Sequence, residues 1–196
     1  MKTTLTLPQG YREYCTLRLS ENKRLSFCLN AASLLVALGL VLVGMAHHPV
    51  EIPPEGPAQL LLNSWPQLLA ALAGSVVYIF LHELVHGVMI RLLAGVKPDY
   101  GFTGLFAYAG SRQAYFSRRD YLLVGLAPVV LWGVVLLVLN LLLPAAWFWP
   151  VYFIQICNIG GAVGDLYVTH MVLFVLPKDI LTMDTGVSMT FYSRKR

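Results

Sequence analysis

The chain has 196 residues, of which 57% are hydrophobic and only 12% are charged. Soluble domains have about a quarter of charged residues, so this composition argues against a soluble enzyme and predicts a membrane protein. The formal net charge of +4 comes from Lys and Arg that lie outside the apolar segments or, for Arg91, at the edge of one, so the basic balance needs no nucleic-acid partner. The three cysteines lie in unrelated settings and predict no disulfide framework.

Four apolar segments, each long enough to cross a bilayer, divide the chain. Residues 1–24 form a polar, basic N-terminal arm, and the alternating pattern of residues 177–196 predicts one strand in a C-terminal tail. The spans that form the membrane core, residues 25–176, are predicted at residues 25–45, 66–94, 121–143 and 151–176. Pro66 is placed as the first residue of the second helix, where proline is favoured.

The segment between the second and third spans, residues 97–119, is rich in aromatic residues and glycine. Gly110 and Ser111 are typical turn residues, so the segment predicts a β-hairpin or a membrane-dipping loop. The predicted fold class is therefore an all-α polytopic membrane protein with four transmembrane helices and this one small hairpin or loop. Residues 100–116 could pair with an extended substrate by strand addition, and a plain connecting loop is the alternative.

The basic residues indicate the orientation. All 14 Lys and Arg lie in the N-terminal arm, at or between the second and third spans, or in the tail. The positive-inside rule then predicts that both termini and residues 97–119 are cytoplasmic.

The second span contains the motif His82-Glu83-Leu84-Val85-His86. Residues four apart share one face of a helix, so the two imidazoles can supply half of a tetrahedral zinc site. Glu83 lies beside them, where a carboxylate can take a proton from water bound to the metal. A chance match is the alternative, but a carboxylate inside a span costs about 2.5–3.5 kcal/mol, which a metal offsets by giving the charge a partner.

Asp165 and Glu83 are the acids inside the predicted spans. Asp165 follows Pro150 by fifteen residues, and the two histidines follow Pro66 by sixteen and twenty. Both helices enter the membrane from the same side. At a rise of about 1.5 Å per residue, all three side chains lie roughly 22–30 Å from the outer ends of their helices, in the cytoplasmic half of the membrane. Asp165 is therefore predicted to be the third zinc ligand. A lone packing group or a proton-relay acid is the alternative.

Asn158 precedes Asp165 by seven residues, which places both on nearly the same helical face. Its amide could donate to a developing oxyanion or hold a substrate carbonyl, or it could cap an unwound turn. Gly160, Gly161 and Gly164 predict either close approach of another helix or local unwinding.

With H-E-x-x-H in one span and N-x-x-G-G-x-x-G-D in a later one, the chain resembles the site-2-protease group of intramembrane zinc metalloproteases. Those enzymes carry their third zinc ligand, an aspartate, in a later span within an N-x-x-P-x-x-x-L-D-G-like motif. This sequence lacks that proline and has Gly164-Asp165-Leu166 in place of the L-D-G triplet.

The chain looks closer still to a family of small bacterial membrane proteins, the putative zincin peptidases. The resemblance covers nearly the whole chain and rests on Leu7-Pro8-Gln9-Gly10-Tyr11, the H-E-x-x-H-G motif, Lys97-Pro98-Asp99-Tyr100-Gly101, Arg119-Asp120-Tyr121-Leu122, Ala127-Pro128, and Asn158 through Leu166. It implies a zinc peptidase core in a bacterial cytoplasmic membrane.

The sequence thus predicts a zinc-dependent intramembrane endopeptidase that cleaves a membrane or membrane-proximal peptide. His82, His86 and Asp165 would bind Zn²⁺ with water in the fourth position, Glu83 would activate that water, and Asn158 would steady the substrate. The expected partners are a peptide or transmembrane protein substrate and the lipid bilayer. An inactive zinc-binding scaffold is the main alternative, and a small transporter is a further one.

Overall fold

The computed structural model describes residues 2–19, 21–104 and 107–194, so the predicted hairpin residues Leu105 and Phe106 lie outside the described residues. The helices in these ranges are α1 (Lys23–His47), α2 (Pro57–Ala94), α3 (Arg118–Leu142), α4 (Phe148–Gly161) and α5 (Val163–His170). The strands are β1 (Arg12–Leu17), β2 (Asp99–Phe102), β3 (Ala107–Gly110), β4 (Phe116–Ser117), β5 (Leu181–Asp184) and β6 (Met189–Ser193). A 3-10 turn, Ala145–Trp147, leads into α4, and a π-helical turn, Met171–Val175, follows α5.

Most of the described chain is helical, as predicted. It contains four helical segments that are long and apolar enough to cross a membrane: α1, α2, α3 and the composite segment Ala145–Val175. Large apolar side chains such as Leu42, Leu72 and Leu141 are exposed on their outer faces. Such faces are unfavourable in water and suit a lipid environment.

The start of the second helix differs from the prediction. α2 begins at Pro57, directly after Gly56, and Pro66 lies inside the helix. Pro57 has the same fixed φ angle and the same lack of an N–H, so it fits the first helical turn as well as Pro66 does. The connection between the first two predicted spans is correspondingly shorter, because residues 57–65 are helical.

The fourth apolar segment is broken at Ala162, which ends α4 and caps α5. The hydroxyl of Ser33, on α1, donates to the carbonyl oxygen of Gly160 at 2.6 Å. A Cβ atom at Gly160 would lie 3.5 Å from the Ser33 carbonyl oxygen, an ordinary van der Waals contact, so α1 lies close to this turn without requiring glycine there. Gly161 and Gly164 have open space where a Cβ would stand. Close approach and interruption of the helix thus both occur here.

A four-stranded antiparallel sheet, with strand order β1-β6-β5-β4, was not predicted. The C-terminal tail supplies two of its strands, where the sequence pattern predicted one, and the N-terminal arm supplies β1. A hairpin between the second and third spans is present as β2 and β3, which pair with each other. Its turn was predicted at the wrong place, because Gly110 is the last residue of β3 and pairs with Asp99. The mostly helical protein therefore has one more sheet than expected.

A compact apolar cluster joins the sheet to the helices. Phe116, Val172 and Phe191 are fully buried in it, together with Ile90 of α2 and Val168 of α5. Because the cluster contains residues of α2, α3, α5 and the sheet, it fixes these elements relative to one another, and α2 and α5 carry the candidate site.

Candidate metal centre

His82 and His86 project from the same face of α2 and are both buried. Their ring centroids are 4.9 Å apart with the ring planes at 73°. This arrangement follows from helix geometry, because residues four apart stand one turn above each other. The motif is thus helical, as its position in the second apolar segment predicted.

Asp165 lies in the first turn of α5 and meets the two histidines. Its Oδ2 atom is 3.5 Å from Nε2 of His82 and 3.9 Å from Nε2 of His86. One ligand atom from each of the three residues lies within 4.8 Å of the others. The structure therefore brings together the three side chains that the sequence predicted as ligands.

The second nitrogen of the His86 ring is already engaged. Nδ1 lies 2.9 Å from the backbone carbonyl oxygen of Val124 on α3. That carbonyl would normally accept from the N–H four residues later, but residue 128 is proline and has no N–H. Since a carbonyl only accepts, Nδ1 of His86 is the donor and its Nε2 keeps a free lone pair. Pro128 thus frees the acceptor that orients His86.

His82 has a similar partner, Tyr78, which was not among the predicted site residues. Nδ1 of His82 is 2.7 Å from the hydroxyl of Tyr78, one turn earlier on α2. The Tyr78 hydroxyl donates to Oδ1 of Asn158, also at 2.7 Å. A tyrosine four residues before a ligand shares its helical face, but this spacing alone does not distinguish Tyr78 from an ordinary packing residue. Asn158 therefore lies behind His82 and does not face open space.

Glu83 is half-buried on a different side of α2, beneath the β2–β3 hairpin. The backbone N–H of Ala109, in β3, lies close enough to this carboxylate to interact with it. The ring of Tyr100, in β2, covers Gly87, one turn after Glu83: a Cβ atom there would overlap the Tyr100 hydroxyl. The hairpin is thus held against the face of the helix that carries Glu83.

The C-terminal strands hold this hairpin in place. The N–H of Ser111 donates to the carbonyl oxygen of Asp184 at 2.6 Å, and the ring of Tyr108 packs against Gly186. The Asp184 carboxylate accepts from the Tyr121 hydroxyl at 2.7 Å and from the N–H of Gly186 at 2.8 Å. Burial raises the pKa of Asp184 from 3.8 to about 6. The unpredicted sheet therefore supports the site indirectly.

The three converging side chains fit a zinc ion. In a tetrahedral site with ligand bonds of about 2.1 Å, neighbouring ligand atoms are roughly 3.4 Å apart, close to the two separations from Asp165 Oδ2. Both histidines present a free Nε2 and have their other nitrogen bonded, which is the usual pattern for zinc-binding histidines. Two imidazoles and one carboxylate also form a common donor set of catalytic zinc sites.

The family of the chain is shown by comparison with known proteins. A family model described as "Putative zincin peptidase" matches residues 75–181, more than half of the chain, and this range includes all five predicted site residues. No curated protein and no solved structure has a significant match to the chain. The chain belongs to the putative zincin peptidase family.

Proposed function

We propose that this protein is a zinc-dependent membrane metallopeptidase in which His82, His86 and Asp165 hold the metal and Glu83 is the general base. The observation that carries the proposal is the convergence of two Nε2 atoms and one carboxylate oxygen, with both Nδ1 atoms bonded elsewhere. Membership of the family supports the same chemistry.

Zinc at this site would supply a Lewis acid that makes water nucleophilic at neutral pH and polarises a peptide carbonyl. Glu83 takes the proton of the attacking water as its oxygen bonds to the carbonyl carbon. The same carboxyl then gives the proton to the departing amine as the C–N bond breaks. Glu83 suits this role because it adjoins His82 in sequence yet stays outside the ligand group.

The hairpin offers a way to position an extended peptide. The Ala109 N–H of β3 interacts with the Glu83 carboxylate, so we take the edge of β3 turned away from β2 to be the one beside Glu83. A peptide that pairs along this edge would take over the Ala109 N–H and bring a carbonyl group beside Glu83. We therefore propose strand addition at β3 as the mode of substrate binding.

The distribution of charge supports a place in the cytoplasmic membrane. The basic residues lie outside the apolar interiors of the four helical segments, in the strands, in the connections between elements and at helix ends such as Lys23, Arg91 and Arg118. By the positive-inside rule the two sheets and both termini then face the cytoplasm. The substrate we propose is accordingly a transmembrane protein or a peptide at the cytoplasmic side.

The test measures zinc content and cleavage on the same detergent-purified protein. The cleavage probes are fluorescein-labelled casein and a single-span model membrane protein. We expect about one zinc per chain in the wild type, loss of zinc in His86→Ala and Asp165→Ala, and retained zinc without cleavage in Glu83→Gln. His170→Ala is the matched control and keeps zinc, because His170 packs against Phe174 and not at the site.

Two results would contradict the proposal. A wild-type protein without zinc after metal-replete purification would remove the metal centre. Cleavage by Glu83→Gln at the wild-type rate would exclude Glu83 as the general base. Stoichiometric zinc with no turnover of either probe would instead favour the zinc-binding scaffold.

A further inference from the structure

The amide of Asn158 is fully used inside the protein. Asn158 has no exposed surface and lies in the last turn of α4. Its Nδ2 donates to the carbonyl oxygen of Val129 on α3 at 3.2 Å and lies 3.5 Å from Oε1 of Gln155. Its Oδ1 accepts from the Tyr78 hydroxyl. An amide with these partners has no free donor aimed at a substrate, so a different role is needed to explain it.

The directions of these hydrogen bonds follow from chemistry alone. The Val129 carbonyl can only accept, so the group that faces it must be the NH₂ of Asn158, and Oδ1 must then face Tyr78. Since Oδ1 can only accept, the single hydroxyl proton of Tyr78 goes to Asn158. The Tyr78 oxygen is therefore an acceptor towards His82, and Nδ1 of His82 must carry a proton.

This chain of bonds leaves His82 in one tautomer. With the proton on Nδ1, the lone pair is on Nε2, which is the atom that faces Asp165 at 3.5 Å. The Val124 carbonyl imposes the same tautomer on His86. Carbonyl groups of α3 thus fix the tautomer of both histidines, that of His86 directly and that of His82 through Asn158 and Tyr78.

We propose that Tyr78 and Asn158 are positioning residues that fix the tautomer and ring orientation of His82 for metal binding. The proposal rests on the proposed function in that zinc is the ion received. Tyr78 is as buried as the histidines, and its hydroxyl is occupied on both sides, so it does not reach a substrate. Asn158 acts through Tyr78 and contacts neither metal nor substrate.

The expected effect is a loss of zinc affinity. Partners that orient metal ligands typically contribute a factor of about 10–100 in affinity. In Tyr78→Phe the ring keeps its shape while His82 loses the acceptor at Nδ1, so His82 can adopt the other tautomer and turn its lone pair away from Asp165. Because Asn158 acts through the same bond, adding Asn158→Ser to Tyr78→Phe should weaken zinc binding little further.

The experiment uses the full chain in detergent micelles and has two readouts. Zinc affinity is measured by competition with a chelator. The tautomer of His82 is measured in the metal-free protein from the ¹⁵N chemical shifts of the imidazole nitrogens, with the signals assigned by loss in His82→Gln. Tyr152→Phe is the matched control: it also removes one tyrosine hydroxyl from a helix, but that hydroxyl bonds to the Leu40 carbonyl, away from the site.

We expect the wild type and Tyr152→Phe to show a protonated Nδ1 at His82 and equal zinc affinity. Tyr78→Phe should show a mixture of tautomers and a 10–100-fold weaker affinity. An unchanged tautomer together with an affinity within twofold of wild type would overturn the inference. If the wild type bound no zinc, the proposed function would fail, yet the tautomer in the metal-free protein would still decide whether Tyr78 and Asn158 orient His82.

Discussion

Replacing Gly87 by alanine should separate the stability of α2 from the activity of the site. Gly87 is a buried residue in the interior of a long helix, one turn after Glu83, and alanine there normally gains about 0.5–1 kcal/mol over glycine. The structure gives a reason for the unfavourable residue, because the Tyr100 ring of the hairpin occupies the space of a side chain.

The movement that alanine at position 87 would require of the Tyr100 ring follows from the contacts that its Cβ atom would make. A Cβ atom at Gly87 would overlap the Tyr100 hydroxyl and lie 2.8 Å from Cε1 of its ring. Carbon atoms pack best at about 3.5–4.0 Å, so the ring must withdraw by at least about 1 Å, since its hydroxyl is closer still. Tyr100 is half exposed and can turn outwards, so the fold should tolerate the change. The ring would then no longer anchor the hairpin against α2, so the hairpin over Glu83 should shift.

We therefore expect Gly87→Ala to keep its zinc and its thermal stability while cleavage falls by about 100-fold, the effect of a misplacement of about 1 Å. Amide hydrogen exchange at Ala109 should become faster, because its N–H loses a fixed partner at Glu83. In a Tyr100→Ala background the space is open, and the same substitution should cost no further activity. Wild-type cleavage by Gly87→Ala, with unchanged exchange at Ala109, would refute this reasoning.

Two further predictions concern backbone acceptors and buried charge. Pro128→Ala restores an N–H that competes with His86 for the Val124 carbonyl. Zinc affinity, measured by competition with a chelator, should therefore fall by up to about 10-fold, although α3 becomes a better helix. An unchanged affinity would show that the carbonyl accepts from both donors. Asp184 has a pKa raised by burial from 3.8 to about 6, so its ionised form is disfavoured in the folded protein. Its contribution to stability should therefore decline by about 3 kcal/mol as the pH rises from about 4 to about 6 and stay level above. Asp184→Asn should remove this decline in thermal unfolding measured across that window, and an unaltered pH profile would contradict the assignment.

That Asp165 and the two histidines reach a similar position along their helices could be predicted, because a helix rises by a constant amount per residue. The expected starting points were both too late: α2 begins nine residues before Pro66, and the fourth apolar segment begins at Ala145, five residues before Pro150. The two errors have the same sign and cancel in part, leaving a difference of four residues, or about 6 Å of helical rise. Asp165 nevertheless meets His82 and His86 as expected, while their binding of zinc stays a prediction.

The sheet could not be predicted in the same way, because its pairing is non-local. Arg12 pairs with Ser193, and nothing in either short segment identifies the other as its partner. The alternation in the tail indicated extended chain at residues 187–191 but not the antiparallel partner β5. Local patterns identify strands by their own residues, whereas the order β1-β6-β5-β4 depends on the packing of the helices between them.

The place of Asn158 was missed for a related reason. The sequence indicated a polar side chain on the face of Asp165 but not which helix would lie opposite. Its partners are Tyr78 on α2 and Val129 on α3, and their contacts depend on tertiary packing. A tyrosine in an apolar helix is also an ordinary packing residue, so its spacing from His82 alone gave no reason to choose it.

The hydrogen bond that orients His86 depends on two different positions: one supplies the carbonyl oxygen, and the other leaves that oxygen free to accept. The oxygen belongs to Val124, and every amino acid at 124 would offer the same oxygen, limited only by the fit of its side chain in the apolar cluster. The freedom of that oxygen to accept is set four residues away, by the missing N–H of Pro128. In a saturation scan for zinc retention, position 124 should accept apolar residues of similar size. At position 128 every replacement of proline should weaken zinc retention, although the proline ring contributes no atom to the metal centre.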